Sequence, residues 1–315
     1  MYNGVIVVNK EAGFTSHDVV AKLRGILRQK KIGHTGTLDP DATGVLPVCL
    51  GHATKLCDML TDKDKTYEAV MLLGKVTDTQ DISGKVLAEC DVTALREAGK
   101  LTDEDILKAV TGFVGEYSQI PPMYSALKVN GKKLYELARE GIEIERKPRE
   151  VYIHAIEDIT IDYPRVTMTV SCSKGTYIRT LCHDIGEKLG CGACMESLKR
   201  TRVSTFSLED ALTLQEISEL TADENGIESH IISVEKIFEA YKPVYTKPEF
   251  DRLIYNGNSL MINMVNFDVS ARAMDNNKPS DGDKLRVYDS KGTFMGVFVY
   301  REQEKQLKVE KMFLS

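Results

Sequence analysis

The stretch GHTGTLDPDATGVLP, residues Gly33 to Pro47, decides how this chain is read. Its 15 residues include four that are His or Thr, three glycines and two prolines, set around one carboxylate pair, Asp39 and Asp41. Neither a 3.6-residue nor a 2-residue apolar period runs through it, which predicts a loop. A loop aspartate is ordinarily a turn residue. The rest of the chain must therefore say what this one is held to do.

The whole chain has 315 residues, enough for two domains, with 42% hydrophobic and 28% charged residues, the balance of a globular protein. No apolar run approaches the ~18 residues of a membrane span, so no membrane partner is expected. MYNGVIVVNK at the start carries neither a basic leader nor a long apolar core, which predicts no export and a cytoplasmic location. Seven cysteines without framework spacing fit reduced thiols.

A net charge of −6 argues at first against nucleic acid, but the charge is unevenly placed. Ser207 to Glu239 holds nine acidic residues and one lysine, a local −8, so the remaining 282 residues sum to about +2. Basic clusters recur in that remainder: RGILRQKK (Arg24–Lys31), KVNGKK (Lys128–Lys133), RKPR (Arg146–Arg149) and KRTR (Lys199–Arg202). Such patches can meet phosphates although the total is acidic.

Periodicity predicts a strand at Val5–Asn9 and a helix starting at Thr15/Ser16 with Val19, Val20, Leu23, Ile26 and Leu27 on one face. Tyr67–Leu73, Lys85–Glu89 and Val166–Cys172 read as strands, Thr102–Val110, Leu134–Glu140 and Thr180–Leu189 as helices. Tyr177 and Arg179 are placed on one face of a strand. Tyr241-Lys-Pro-Val reads as a linker to short β-rich pieces at Lys284–Tyr288, Gly296–Tyr300 and Leu307–Lys311. The class is α+β with a small β-rich C-terminal domain.

Three chemical patterns can be set aside. Asp39-Pro-Asp-Ala-Thr-Gly matches the D-x-D-x-T-G of haloacid-dehalogenase-type phosphotransferases, but KIGHTGTL before it is not the buried apolar strand that chemistry needs. Cys182-His183 with Cys191 and Cys194 lacks a second CxxC, and adjacent residues on a helix point apart, so no metal site is predicted. Ser16-His17-Asp18 is better explained as a helix cap than as a catalytic triad.

What remains is Asp39 with the flat rings of His34 and Tyr67, and with Tyr177 and Arg179. An arginine keeps a nearby carboxylate ionised, and aromatic rings suit an unstacked base. At these residues the sequence resembles the TruB-type tRNA pseudouridine-55 synthases. The resemblance lies in GHTGTLDPDATGVLPVCLGHATKL (Gly33–Leu56), DKTYEA (Asp64–Ala69), QIPPMYSALKVNGKKLYELAREG (Gln119–Gly141), KGTYIRTLCHDIGEKLG (Lys174–Gly190) and LKRTRV (Leu198–Val203). Glu11, Cys194 and Ser204 depart from residues common in the family, and none of the three touches Asp39.

The resemblance implies a pseudouridine-synthase-type mixed, largely antiparallel sheet with flanking helices over residues 1–240, and a PUA-like RNA-binding domain over 241–315. It implies Asp39 as the catalytic residue, with Tyr67 and Arg179. His34, Tyr67, Tyr177, Leu198, Lys10 and Lys55 then fall at substrate-binding positions, and Lys128, Lys132, Lys133, Lys199, Arg200 and Arg202 at RNA-binding ones. Residues 119–149, including a turn at Asn130-Gly131, become a mobile segment that clamps the RNA. The implied reaction turns uridine 55 in the T-loop of tRNA into pseudouridine by flipping the base out. It needs no cofactor or metal, and one chain acts on the T-arm as a monomer without an obligate protein partner. The rival from another class is a noncatalytic RNA-binding or chaperone role, which the intact Asp39, Tyr67 and Arg179 set disfavours.

Overall fold

Lys65–Leu73 alternates buried and less buried residues and lies between two long antiparallel neighbours, Arg165–Cys172 and Ala193–Val203. A computed structural model describes residues 1–129, 131–223, 226–267 and 279–313 of the chain, so Asn130 of the expected turn lies outside it. The main sheet has nine strands. Its path runs Gly4–Lys10, Thr43–Leu50, Ala193–Val203, Lys65–Leu73, Arg165–Cys172, Arg149–Asp162, Gly115–Gln119, with Ile32–His34 and Phe206–Ser207 paired to its members. Every pairing is antiparallel except Thr43–Leu50 with Ala193–Val203. At that parallel joint a Cβ on Gly44 would lie 2.2 Å from the Arg200 carbonyl oxygen, and Gly44 has φ +100. Only glycine fits there.

The helix expected after Gly13 spans Ser16–Ile26, opened by a capping box between Thr15 and Asp18, and buries Val19, Val20 and Leu23. A second helix, Ile178–Leu189, packs on the sheet through Ile178, Leu181, Cys182 and Ile185, while Asp103–Thr111 joins the same apolar cluster through Ile106 and Val110. Each such side chain contributes about 1.5–3 kcal/mol by leaving water.

Three sequence expectations are corrected. Of the supposed loop, Thr43–Pro47 is strand, and from Gly44 to Leu50 every residue is buried. A strand covered on both faces shows no alternation, so its period is invisible. Tyr177 and Arg179 do not share a strand: Tyr177 is the N-cap and Arg179 sits in the first helical turn. The apolar spacing Ile178, Leu181, Cys182, Ile185 starts two residues before the expected helix start. The Tyr241 linker is likewise a strand, Lys242–Thr246, with Val244 fully buried.

That strand belongs to a second, six-stranded sheet ordered Leu260–Met261, Gln306–Met312, Phe294–Arg301, Lys284–Tyr288, Lys242–Thr246, Val265–Phe267. The architecture is thus the mixed α+β fold with a β-rich, PUA-like C-terminal unit that the resemblance implies. The two sheets share one apolar cluster, in which Val297 and Phe313 pack with Val5, Leu56, Val203 and Phe238. No helix among the described residues is long and apolar enough to cross a membrane.

Candidate active site

Asp39 lies between the Ile32–His34 and Thr43–Leu50 strands, and its neighbours in the loop are tied down on every side. The hydroxyl of Ser16, at the start of the first helix, accepts from the Leu38 N–H at 2.9 Å. The Pro40 carbonyl accepts from the Lys10 ammonium at 2.8 Å and from the Gly13 N–H at 3.0 Å. Leu38 and Ala42 are buried beside Tyr67 in the main core. Between these anchors the Asp39 side chain remains 39% exposed.

Arg179 meets that carboxylate along two edges, Nε to Oδ2 at 3.0 Å and Nη2 to Oδ1 at 3.2 Å. The arginine is itself buried and shared. Its Nη1 donates to the Thr79 carbonyl at 3.2 Å and its Nη2 to the Tyr124 carbonyl at 2.8 Å, while Asp81 stands 3.8 Å away. The surrounding protein pushes the pKa of Asp39 up from the ordinary carboxylate value, and Arg179 opposes that rise. Asp81, a like charge, adds to it.

Tyr67 stands directly across from Arg200 in the sheet register, and both are buried. Burial pushes the Tyr67 phenol up, so the ring is a neutral, flat surface at neutral pH. The Arg200 guanidinium lies beside that phenol and donates to the Val45 carbonyl at 2.7 Å and to the Gly36 carbonyl at 3.4 Å. This corrects the expectation that Arg200 binds RNA. At 1% exposure it is an internal strut whose charge is met by carbonyl dipoles and cannot reach a phosphate.

Lys10 is corrected in the same sense. Also 1% exposed, its ammonium is held by the carbonyls of Glu11, Phe14 and Pro40 at 2.7–2.9 Å, so it braces the Asp39 loop. Burial brings its pKa down to about 8, against the pull of Asp41 and Asp39. His34 ends its strand opposite Val48, edge-on to His17 with ring centres 5.1 Å apart. Its Nδ1 is buried without a partner, and burial, then His17, lowers its pKa. Leu198 is half-buried against the cluster that holds Tyr67.

Lys55 is not brought to this site by any bond. Its ammonium donates to the Met312 carbonyl at 3.0 Å, in the C-terminal unit. Lys199 faces outward and pairs with Glu68 at 3.4 Å, and Arg202 forks onto the Thr66 hydroxyl at 3.2 and 3.1 Å. Lys128, Lys132 and Lys133 lie on a small two-stranded piece within the 119–149 segment. That segment is better provided with burial than its composition suggests, because Met123, Leu134 and Leu137 form a core of their own. The reading from sequence misses Thr79, Asp81 and Gln119. Only the turn-forming run TDTQDISG hints at the first two. The described residues hold no cluster of three His, Cys, Asp or Glu side chains able to bind a metal.

Two family models match consecutive parts of the chain: TruB family pseudouridylate synthase (N terminal domain) over residues 24–178, and tRNA pseudouridylate synthase B C-terminal domain over 179–239. The tRNA pseudouridine synthase B of Lachnoclostridium phytofermentans is 53% identical, with 99% of this chain and 100% of that protein covered. That of Clostridium perfringens strain 13 is 44% identical over 99% of both. The chain belongs to the TruB family of pseudouridine synthases. Among solved structures it is similar to an H/ACA RNP bound to a substrate RNA containing 2′-deoxyuridine, at TM-score 0.70 and 26% identity, covering 99% of this chain and 85% of that one. A Cbf5-Nop10-Gar1 complex is similar at TM-score 0.70 and 28% identity, with the same coverage. In this TruB-family chain, then, the ion pair between Asp39 and Arg179 sits in a pseudouridine synthase fold.

Proposed function

We propose that this chain isomerises uridine 55 in the T-loop of tRNA, with Asp39 as the catalytic carboxylate. The observation that carries the reading is the two-edged contact of Arg179 with a carboxylate that is still exposed and fixed by its neighbours' backbone. In the reaction the bond from ribose C1′ to uracil N1 breaks and one from C1′ to C5 forms. The C5 proton leaves and N1 gains one. Product and substrate are isomers, so the balance requires no oxidant, reductant or group donor.

Each residue then has a task. The target base is flipped from its stack at a cost of a few kcal/mol. The neutral Tyr67 ring receives it, Tyr177 and Leu198 line the pocket, and His34 fills the vacated space. Arg179 keeps Asp39 ionised against the effect of burial. Lys128, Lys132 and Lys133 contact phosphates from the 119–149 segment, and residues 241–315 extend the RNA surface. The proposed site residues all lie in one chain, which supports action on the T-arm as a monomer without an obligate partner, and the seven free cysteines fit the cytoplasm.

The test uses unmodified tRNA transcript tritiated at uracil C5. Wild-type protein should release tritium without added metal, and a transcript carrying cytidine at position 55 should give no pseudouridine. Absence of release from the uridine-55 transcript would overturn the reading.

A further inference from the structure

The Gly115–Gln119 strand grips the helix that carries Arg179 with two side chains from one face. Tyr117 and Gln119, two residues apart and therefore on the same side of the strand, are both buried. The Tyr117 hydroxyl donates to the Asp184 carboxylate in the second turn of the helix. Gln119 acts at the helix start. Its Oε1 accepts from the Tyr177 N–H at 2.8 Å, and its Nε2 donates to the Tyr177 carbonyl at 2.9 Å.

Tyr177 is the N-cap of this helix, and no side chain of the helix itself caps it. A cap residue's orientation sets the direction in which the first turn leaves. Arg179 stands two residues later, 6% exposed, with its guanidinium spread over Asp39, Thr79 and Tyr124. A fork that matches a carboxylate along two edges tolerates little displacement of its backbone.

Gln119 also marks where the chain departs from the sheet: it pairs with Arg149 across the sheet, so residues 120–148 leave and return at this point. Tyr124, five residues into that excursion, supplies its carbonyl to Arg179.

We propose that Gln119 is a positioning residue for the reaction: its amide fixes the backbone of Tyr177, and thereby the aim of Arg179 at Asp39. The base of the 120–148 excursion and the catalytic ion pair are thus one mechanical unit. This rests on the reading of Asp39 as the catalytic carboxylate.

The deciding measurement is the pH titration of the Asp39 carboxyl carbon by NMR in the full-length, tRNA-free protein, comparing wild type with Gln119→Met and Gln119→Asn. Methionine keeps the length and removes both bonds. Asparagine adds no charge and keeps both polar groups, but it is one methylene shorter and cannot reach both Tyr177 atoms, so it decides the matter should the methionine variant not fold. Arg179 opposes the upward push on Asp39 more than Lys10 does, so loosening it moves the Asp39 titration to higher pH. Single-turnover chemistry at saturating tRNA should then slow by about tenfold to a hundredfold, the scale of a small misplacement. An Asp39 titration unmoved by either substitution would overturn the proposal. Because that readout needs no turnover, its failure is distinct from failure of the isomerase reading, which tritium release by the wild type decides.

Discussion

The Asp39 loop and the 119–149 segment meet on one guanidinium, yet they are held in opposite ways. The loop is pinned through its backbone by groups from the surrounding fold: Ser16 at Leu38, Lys10 and Gly13 at Pro40, Arg200 at Gly36 and Val45. The segment has its own core of Met123, Leu134 and Leu137, and reaches the site through the Tyr124 carbonyl and the Gln119 amide. Fixed donors and acceptors around a reacting group need no reorganisation when the reaction occurs. On the proposed function the segment also admits the RNA, so only its base, at Gln119 and Tyr124, is tied to that frame. The division predicts that substitutions in the loop damage chemistry or stability, and those on the segment's surface damage binding.

The largest effect belongs to Asp39→Asn. The change is nearly isosteric and removes only the charge, so the fold and tRNA binding should persist while single-turnover rate falls by about a thousandfold or more. Product formation near the wild-type rate would place the chemistry on another group and dissolve the comparison.

Arg200→Met comes next, and it separates a buried cation from a phosphate contact. The substitution takes the donor away from the carbonyls of Val45 and Gly36 and removes the cation beside the Tyr67 phenol. Stability should fall by about 1–3 kcal/mol, the cost of a buried polar group left unpaired. Chemical denaturation measures that loss, and a salt titration of tRNA binding should show an unchanged slope. A flattened slope with full stability would return Arg200 to the RNA surface.

Lys132→Gln with Lys133→Gln should do the reverse. These side chains lie on the short strand Lys132–Lys133, and Lys132 is exposed. Affinity for tRNA should weaken and its salt dependence flatten, by up to about 0.7–0.9 of slope for each phosphate that is no longer neutralised. Denaturation should be unaltered. An unchanged salt slope would show that this part of the segment does not meet the backbone of the RNA.

These contrasts also show where the sequence is readable. Ser16–Ile26 and Lys65–Leu73 each have one face in the core, so their periods survive in the sequence. Thr43–Leu50, buried on both faces, has no period to find. The cluster Lys199–Arg202 reads as one basic patch, but successive residues of a strand face opposite ways, which sends Arg200 inward and Lys199 outward. Asp39, Tyr67 and Arg179 are found by resemblance, and the ion pair requires the fold. Gln119 and Thr79 act on backbone or through it, and such roles leave no pattern of residue types behind.

The smallest effect concerns Lys10 and pH. Burial lowers its pKa to about 8, whereas in the unfolded chain the amine titrates near ~10.4. Between those values the unfolded state binds the proton and the folded state does not, so stability should rise with pH across this window. The burden of the buried ammonium is full below about pH 8 and is relieved as pH passes through the unfolded value. Function should move the other way. A neutral amine has two N–H groups for the three carbonyls of Glu11, Phe14 and Pro40, so the brace on the Asp39 loop loosens. The Gly13 N–H still holds Pro40, so the single-turnover rate should fall only about twofold to threefold above pH 8. In Lys10→Met the fall in rate should disappear, and the rise in stability should shrink to the share of Lys65, whose pKa burial also lowers to about 8. A general alkaline loosening of the fold would lower stability and rate together, and would persist in that variant. Measuring both from pH 7 to 10.5, the range spanning the two titrations, therefore separates the brace from the fold.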